Sequence, residues 1–240
     1  MDSAASKVFH SPPAGIQPLD CLTRGWELVK DQYWLFLGIT TVGLIIANAL
    51  AIVLMGPMMC GINMCYLRKL ARQPVKFEMV FQGFDYFKES FIAGLIITGF
   101  SLAVILPVYF LMFIGIFGTA ALSAASESEW VGVFSLGFML LFALMFFVVI
   151  MGMSILFIFV FPLIVDRHLS GWEAIKLSAR AGWANFWGLL GLILLLALLT
   201  VIGVMFCYVG VFFVIPVNIA AFIIAYRKLF PALEEAPHEA

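Results

Sequence analysis

The sequence predicts an all-α fold: a polytopic transmembrane helical bundle of about six spans, with interfacial amphipathic helices and an internal repeat. Composition is the first observation behind this prediction. The chain is 64% hydrophobic and 11% charged, whereas a soluble domain carries about 25% charged residues. So few charges cannot coat a globule of 240 residues, and we therefore expect lipid to solvate much of the surface.

The distribution of charge is the second observation. All 13 Lys and Arg residues lie outside four charge-free blocks, which are 32–67, 90–126, 130–165 and 181–226. Cytoplasmic loops of membrane proteins are rich in Lys and Arg, so the pattern predicts that both termini are cytoplasmic. The loop 119–130 contains two glutamates but no Lys or Arg, as expected of an external loop.

The charge-free blocks are long enough for six spans, because one span needs roughly 20 apolar residues. The first block is expected to break at Gly56-Pro57 and the last near 203–210. Pro162 is expected to bend the long fourth span near its cytoplasmic end. The second span is short and polar at Asn63, so a re-entrant segment, with four or five spans in all, is the alternative. The six predicted spans are 33–55, 57–70, 91–118, 134–165, 186–205 and 210–228.

Three regions are predicted along the chain. A single integral membrane domain is expected over 19–230. Two cytoplasmic tails flank it at 1–18 and 231–240, and the first tail, which is polar and contains prolines, is expected to be disordered.

An internal repeat relates 19–70 to 172–229 around a middle hairpin at 77–165. The segments PMMCGINMCYLRKL and PVNIAAFIIAYRKL align without gaps, and their prolines are expected to begin helices. Chance similarity between apolar stretches is the alternative, and it explains the proline and basic matches poorly. The matched pairs are Pro57 with Pro216, Gly61 with Ala220, Arg68 with Arg227, Lys69 with Lys228, Trp34 with Trp187, and Gly38 with Gly191.

Each repeat begins with an amphipathic helix, and the middle hairpin begins with a similar segment. These helices are expected to lie in the headgroup plane with their aromatic and aliphatic faces inward. Capping the bundle is the simpler role for them, and binding anionic lipid or sensing lipid packing is the alternative. The stripes are Leu19, Leu22, Trp26, Val29 and Tyr33 in the first, Phe77, Phe81, Phe84 and Phe91 in the middle, and Ile175, Ala179, Trp183 and Phe186 in the last.

The predicted spans are poor in chemistry. Apart from the basic residues at their ends they contain no Asp, Glu, Lys, Arg or His, which argues against a pump, an ion-coupled transporter or an intramembrane protease. No CxxC, HExxH or phosphate-binding loop occurs, so no catalytic, cofactor or metal residue is predicted. Asn63 and Asn218 are candidate contacts between helices, and Asp166 and Arg167 form a candidate polar pair at the membrane edge.

Three segments carry a resemblance to a known group of proteins. They are Gly56-Pro57 with its basic stop, the stretch from Pro162 to Arg167 leading into an amphipathic helix at 172–178, and the final span from Pro216 to Arg227. Over about 20–230 the chain resembles the YciC-like and DUF975-like families of uncharacterised bacterial integral membrane proteins. The resemblance implies a polytopic architecture and no established activity.

Two functions are predicted from these observations. The leading one is a non-enzymatic structural, lipid-interacting or accessory component of the bacterial cytoplasmic membrane. Its expected partners are membrane lipids, and also a membrane protein or a second copy of the chain, but not nucleic acid, since the net charge is only −1. The alternative is a transporter or permease subunit for an apolar or zwitterionic solute. An enzyme has the least support, and no cofactor is expected.

Overall fold

The computed structural model describes residues 15–49, 51–125, 129–205 and 209–231. Most of both predicted tails and the centre of the predicted loop 119–130 lie outside these ranges. The described residues form nine α-helices and two 3₁₀ segments, Lys30–Gln32 and Phe77–Tyr86, with no strand among them. The helices are α1 (Pro18–Val29), α2 (Tyr33–Ala49), α3 (Ala51–Leu70), α4 (Phe87–Ala125), α5 (Glu129–Phe157), α6 (Val160–Arg167), α7 (Gly171–Ala184), α8 (Phe186–Met205) and α9 (Val209–Leu229).

The predicted all-α membrane fold is confirmed. Four helical stretches of the described chain are long and apolar enough to cross a membrane: Phe77–Ala121, Gly132–Arg167, Phe186–Met205 and Gly210–Leu229. The first predicted hairpin, α2 and α3, is not among these four. Its second helix has 20 residues and is therefore about 30 Å long, which matches the hydrocarbon thickness of a bilayer.

The predicted break at Gly56-Pro57 is wrong. Helix α3 begins at Ala51 and runs through Pro57, and α9 likewise runs through Pro216, so neither proline begins its helix. A proline removes one backbone N–H and crowds the carbonyl four residues before it. Within a long apolar helix the other backbone bonds still form, because no water competes for them, and the helix continues.

The break expected near Pro162 does occur. Helix α5 ends at Phe157 and α6 begins at Val160, just before the proline that has no N–H for the carbonyl of residue 158. The buried Ser178 of α7 satisfies the opened turn. Its hydroxyl donates a hydrogen bond to the Leu156 carbonyl at 2.7 Å and accepts one from the Phe159 N–H at 3.2 Å.

The chain divides into two compact units. The first unit comprises Met1–Gly94 and Ile155–Ala240, and the second is Leu95–Ser154. In the second unit, the Phe138 ring occupies the space above Gly115. Beside it lies an apolar groove of about 300 Å³, lined by aromatic and methionine side chains of α4 and α5. Most of these helices' large apolar side chains are exposed, as expected of surfaces solvated by lipid.

The two matched helices lie in the interior of the first unit. From Gly56 to Leu67, α3 is buried on nearly every side, and it contacts α2, the Phe77–Tyr86 segment, α6 and α9. A helix that is apolar all round is buried on every side. The large polar side chains in this stretch of α3 are Asn63 and Tyr66, and Tyr66 shares a hydrogen bond of 2.8 Å with Thr40 of α2.

The amphipathic segments pack on these helices through small residues. Helix α1 buries Cys21, Gly25 and Val29, and a Cβ atom on Gly25 would lie 2.7 Å from the backbone nitrogen of Ala221 in α9. The Phe77–Tyr86 segment packs on α3 in the same way, because Gly83 faces the backbone of Gly61. Glycine is used here because only a residue without Cβ permits such an approach.

The aromatic stripe of each amphipathic segment is divided between two environments. In α1, Val29 is buried, whereas Leu19 and Trp26 remain exposed. In α7, Ile175 is buried while 74% of Trp183 is exposed. Each helix therefore has three faces: small residues against the bundle, exposed aromatic residues beside them, and charged residues beyond.

Candidate functional site

The C-terminal end of α9 is held by ion pairs. Arg227 donates two hydrogen bonds to the Asp166 carboxylate, at 3.0 Å and 2.6 Å, and Tyr226 donates a third at 2.8 Å. The Asp166 and Arg227 side chains are only 13% and 21% exposed. Paired and largely desolvated, this bidentate contact ties α6 to α9, and removing one partner would leave a costly unpaired charge.

Arg167 joins the same carboxylate. Its side chain is 5% exposed, and its Nε lies 3.2 Å from Asp166 Oδ2. The guanidinium also donates a hydrogen bond to the carbonyl of Pro231. The sequence predicts Asp166 and Arg167 as a pair but does not indicate that Arg227, 61 residues away from Asp166, joins them.

Lys228 ties α9 to α1. Its Nζ lies 2.6 Å from Asp20 Oδ2, and Arg24 contacts the other oxygen of that carboxylate at 2.9 Å. The hydrogen bond from Lys228 is the main reason why the pKa of Asp20 lies below its usual value, against the opposing effect of burial. The stabilisation is complete above the usual Asp pKa and is lost as pH falls through the lowered pKa.

The matched end of α3 has different partners. Arg68 donates to the Met79 sulfur at 3.4 Å and Lys69 donates to Gln32 Oε1 at 3.1 Å. Arg72, two residues beyond the helix, is exposed. Within the described ranges, no carboxylate forms an ion pair with any of these three cations. We call Arg68, Lys69 and Arg72 the first basic stop, and Arg227 and Lys228 the second basic stop.

A charged groove of about 660 Å³ lies beside the first basic stop. On one side are residues of α1 and the following 3₁₀ turn, and on the other are the end of α3 and the loop after it. The groove is lined by Glu27, Leu28, Asp31, Gln32, Lys69, Arg72, Gln73 and Pro74. Two carboxylates therefore face two cations without pairing across the space in the described structure.

Arg72 has an unusual backbone conformation. Its φ is 58°, in the left-handed region that costs a residue with a side chain about 1–2 kcal/mol. The N–H groups of Arg72 and Gln73 bond to the carbonyls of Lys69 and Arg68 at 3.0 Å and 2.9 Å, which is the arrangement that ends many helices and usually employs glycine. Among the described residues, His168, after α6, is the other non-glycine residue with a positive φ, at 51°.

The matched Trp–Gly pairs have similar surroundings. Trp34 is 74% exposed and Trp187 is 81% exposed. A Cβ atom on Gly38 would lie 3.7 Å from the Phe77 ring, and one on Gly191 would lie 3.1 Å from Pro18. Phe77 and Pro18 are the first residues of their amphipathic segments.

The two asparagines make different contacts. Asn218 Nδ2 donates to Thr200 Oγ1 at 3.0 Å, which joins α9 to α8. Asn63 Nδ2 donates to the Met59 carbonyl at 2.7 Å, within its own helix. In the described part of the chain, no group of three His, Cys, Asp or Glu side chains is placed to hold a metal ion.

Sequence reasoning does not identify the residues that partner the basic stops, namely Asp20, Gln32 and Met79. One local signal indicates where the helix beside the groove ends. Arg72 and Gln73 precede Pro74, and a proline shortly after a basic segment indicates the end of a helix.

No family model, curated protein or solved structure is significantly similar to this chain. The resemblance to the YciC-like and DUF975-like families accordingly stays a prediction.

Proposed function

We propose that this chain is a non-enzymatic protein of a bacterial cytoplasmic membrane that acts as a structural, lipid-interacting or accessory component. Its long apolar helices point to a protein integral to a membrane. The proposal adds six spans, cytoplasmic termini and a direct role for lipid. The three-faced amphipathic segments are the observation that carries it.

The exposed face of these segments suits the membrane interface. Trp26, Trp172 and Trp183 are each about half exposed or more, and indole rings prefer the headgroup level. In α7, Lys176 lies over the Trp172 ring with Nζ 5.1 Å from its centroid. A soluble protein rarely leaves several large aromatic side chains exposed together, whereas lipid would cover them.

The proposed duplication is supported by matched contacts. Gly38 and Gly191 each meet the first residue of an amphipathic segment, and Gly61 and Ala220 each meet a glycine within that same segment. Each outer hairpin thus holds one segment at two matched positions. The first hairpin holds the segment that follows it, and the last hairpin holds α1 from the beginning of the chain.

The transporter alternative receives no support from the matched helices. A permease of this design would need a polar passage between its repeated halves. The corresponding part of α3 is instead buried, and its backbone is in close contact with the Phe77–Tyr86 segment. A protein partner or a second copy would find its largest apolar surface on the second unit, whose helices are mostly exposed.

Tryptophan quenching by brominated lipids tests the proposed role. The full chain would be reconstituted into vesicles with Trp26 or Trp183 as the single tryptophan and phenylalanine at the other five positions. We expect stronger quenching by lipids brominated near the headgroup than by lipids brominated near the chain end. Quenching by aqueous iodide with none by either lipid would contradict the proposal.

A further inference from the structure

The first basic stop keeps its charges available, whereas the second does not. Arg227 and Lys228 are each bonded to a carboxylate at 2.6 Å at the closest. Among the described residues, Lys69 bonds to the neutral oxygen of Gln32 and to no carboxylate, and the Arg72 side chain is exposed. A cation without a carboxylate beside a groove is available to an anionic group from outside the chain.

The opposite wall of the groove carries available acids. Glu27 and Asp31 are exposed and form no ion pair among the described residues, although Asp20 on the same helix is bonded to both Lys228 and Arg24. Lys69 and Arg72 line the same groove of about 660 Å³ as these acids, and Lys69 reaches Gln32 next to Asp31. A ligand that suits this lining would carry both a positive and a negative group.

The backbone at Arg72 is the independent sign of function. A φ of 58° suits glycine, and arginine adopts it only at a cost. Strained positions of this kind concentrate at ligand sites. At Arg72 the side chain lines the groove.

Two tryptophans are close in sequence to the residues that line the groove. Trp26 lies on α1, which forms one wall, and Trp34 lies just beyond the 3₁₀ turn that completes that wall. Both are exposed, at 49% and 74%. Since exposed indoles prefer the headgroup level of a bilayer, the groove lies at the depth of lipid headgroups if the proposed function is right.

We infer that this groove binds the headgroup of a phospholipid that carries both a phosphate and a primary ammonium, the chemistry of phosphatidylethanolamine. Lys69 and Arg72 bind the phosphate, and Glu27 and Asp31 bind the ammonium. Phosphatidylglycerol has no cation for the acids. Phosphatidylcholine has a cation but no N–H to donate to them.

Lipid titration followed by native mass spectrometry tests this inference. The delipidated full chain would receive phosphatidylethanolamine, phosphatidylglycerol or phosphatidylcholine with identical acyl chains. We expect about tenfold tighter binding of phosphatidylethanolamine than of the other two, which corresponds to one good ionic contact. Equal binding of all three lipids would overturn the inference.

Glycine variants separate binding from folding. Arg72→Gly removes the guanidinium and fits the left-handed backbone, so the protein should fold at least as well while phosphatidylethanolamine binds about three- to tenfold more weakly. His168→Gly makes the same backbone change after α6 and is the matched control, with binding unchanged. Equal binding by the two variants would contradict a role for Arg72.

Removing the acids tests the other half of the site. In the double variant Glu27→Gln with Asp31→Asn, only the phosphate-binding side remains, so the preference should change to phosphatidylglycerol. If these acids had only a structural role, their removal would weaken the binding of all three lipids equally, and that result would overturn the assignment.

A soluble probe separates lipid from free phosphate esters. Phosphoethanolamine without acyl chains should not displace the lipid at equal concentration. If it binds as tightly as the lipid, the ligand is a soluble phosphate ester and the lipid assignment is wrong. Loss of headgroup preference with normal quenching of Trp26 by brominated lipid would reject this inference and leave the proposed function standing.

Discussion

Helices α3 and α9 both contain a proline, both receive a glycine of an amphipathic segment, and both end in Arg-Lys-Leu. Their basic ends nevertheless meet different partners. Those of α9 bind carboxylates of α6 and α1, whereas those of α3 meet a sulfur and an amide oxygen. The comparison shows that one motif can fix the packing in one place and leave charge available for a ligand in another.

The largest predicted effect is on the ion pair of α9. Asp166→Ala should lower the free energy of unfolding by about 3 kcal/mol, because Arg227 and Arg167 would keep buried charges without a counter-ion. Met79→Ala removes the corresponding partner of Arg68 and should cost only about 1 kcal/mol. Unfolding of the solubilised protein by detergent titration measures both, and equal losses would remove the difference between the two helices.

The close contact of α3 is expected to tolerate no extra carbon. Gly61→Ala would place a methyl group within the van der Waals radius of the Val80 carbonyl, and relieving that overlap should cost about 2 kcal/mol. Gly94→Ala is the control, since that helical glycine has open space around it. If both variants unfold at the same detergent concentration, the close contact between α3 and the Phe77–Tyr86 segment is wrong.

A smaller effect is expected where α1 meets α9. Asp20→Asn should loosen α1 and expose Cys21, which is buried beside it, so alkylation of that thiol should become faster at neutral pH. Glu27→Gln on the same helix should leave the rate unchanged. In the unmodified chain, acid should have the same effect as Asp20→Asn once the pH falls below the lowered pKa of Asp20. A thiol reagent that remains active in acid would measure this alkylation rate. A rate independent of pH would argue against the stabilising role of the Asp20–Lys228 ion pair.

The smallest predicted effect is a gain in stability. Arg72→Gly relieves the left-handed backbone and should raise the free energy of unfolding by up to about 1 kcal/mol. His168→Gly should act similarly at its own site. Thermal unfolding of the solubilised variants measures both, and a destabilised Arg72→Gly would show that the arginine holds the loop rather than serving a ligand.

Composition and charge-free length predict much of this fold. They report the solvent around each segment, so the apolar helices could be expected from the sequence. The same data place the helix boundary wrongly at Pro57, because proline marks the end of a helix in water more reliably than in an apolar interior. Local patterns also miss Ser178, whose hydroxyl is required only because a helix 20 residues earlier is broken.

The candidate groove could not be predicted from sequence. Glu27 and Arg72 are ordinary surface charges until the fold brings them to one groove, and nothing local distinguishes Lys69 from Lys228. What separates these two lysines is the partner that each one meets, which is Gln32 of the 3₁₀ turn after α1 for the first and Asp20 of α1 for the second. Such pairing depends on tertiary packing across more than 200 residues in the second case.

Cysteine labelling from one side of the membrane shows directly whether the first basic stop and helix α7 lie on the same face of a bilayer. Single cysteines would replace Arg72, Lys176, Trp130 or Met205, all of which are exposed. With an impermeant maleimide outside intact cells, we expect labelling of Trp130→Cys and Met205→Cys only, over the background of the unmodified chain. Labelling of Arg72→Cys together with Trp130→Cys, or of Arg72→Cys without Lys176→Cys, would contradict it.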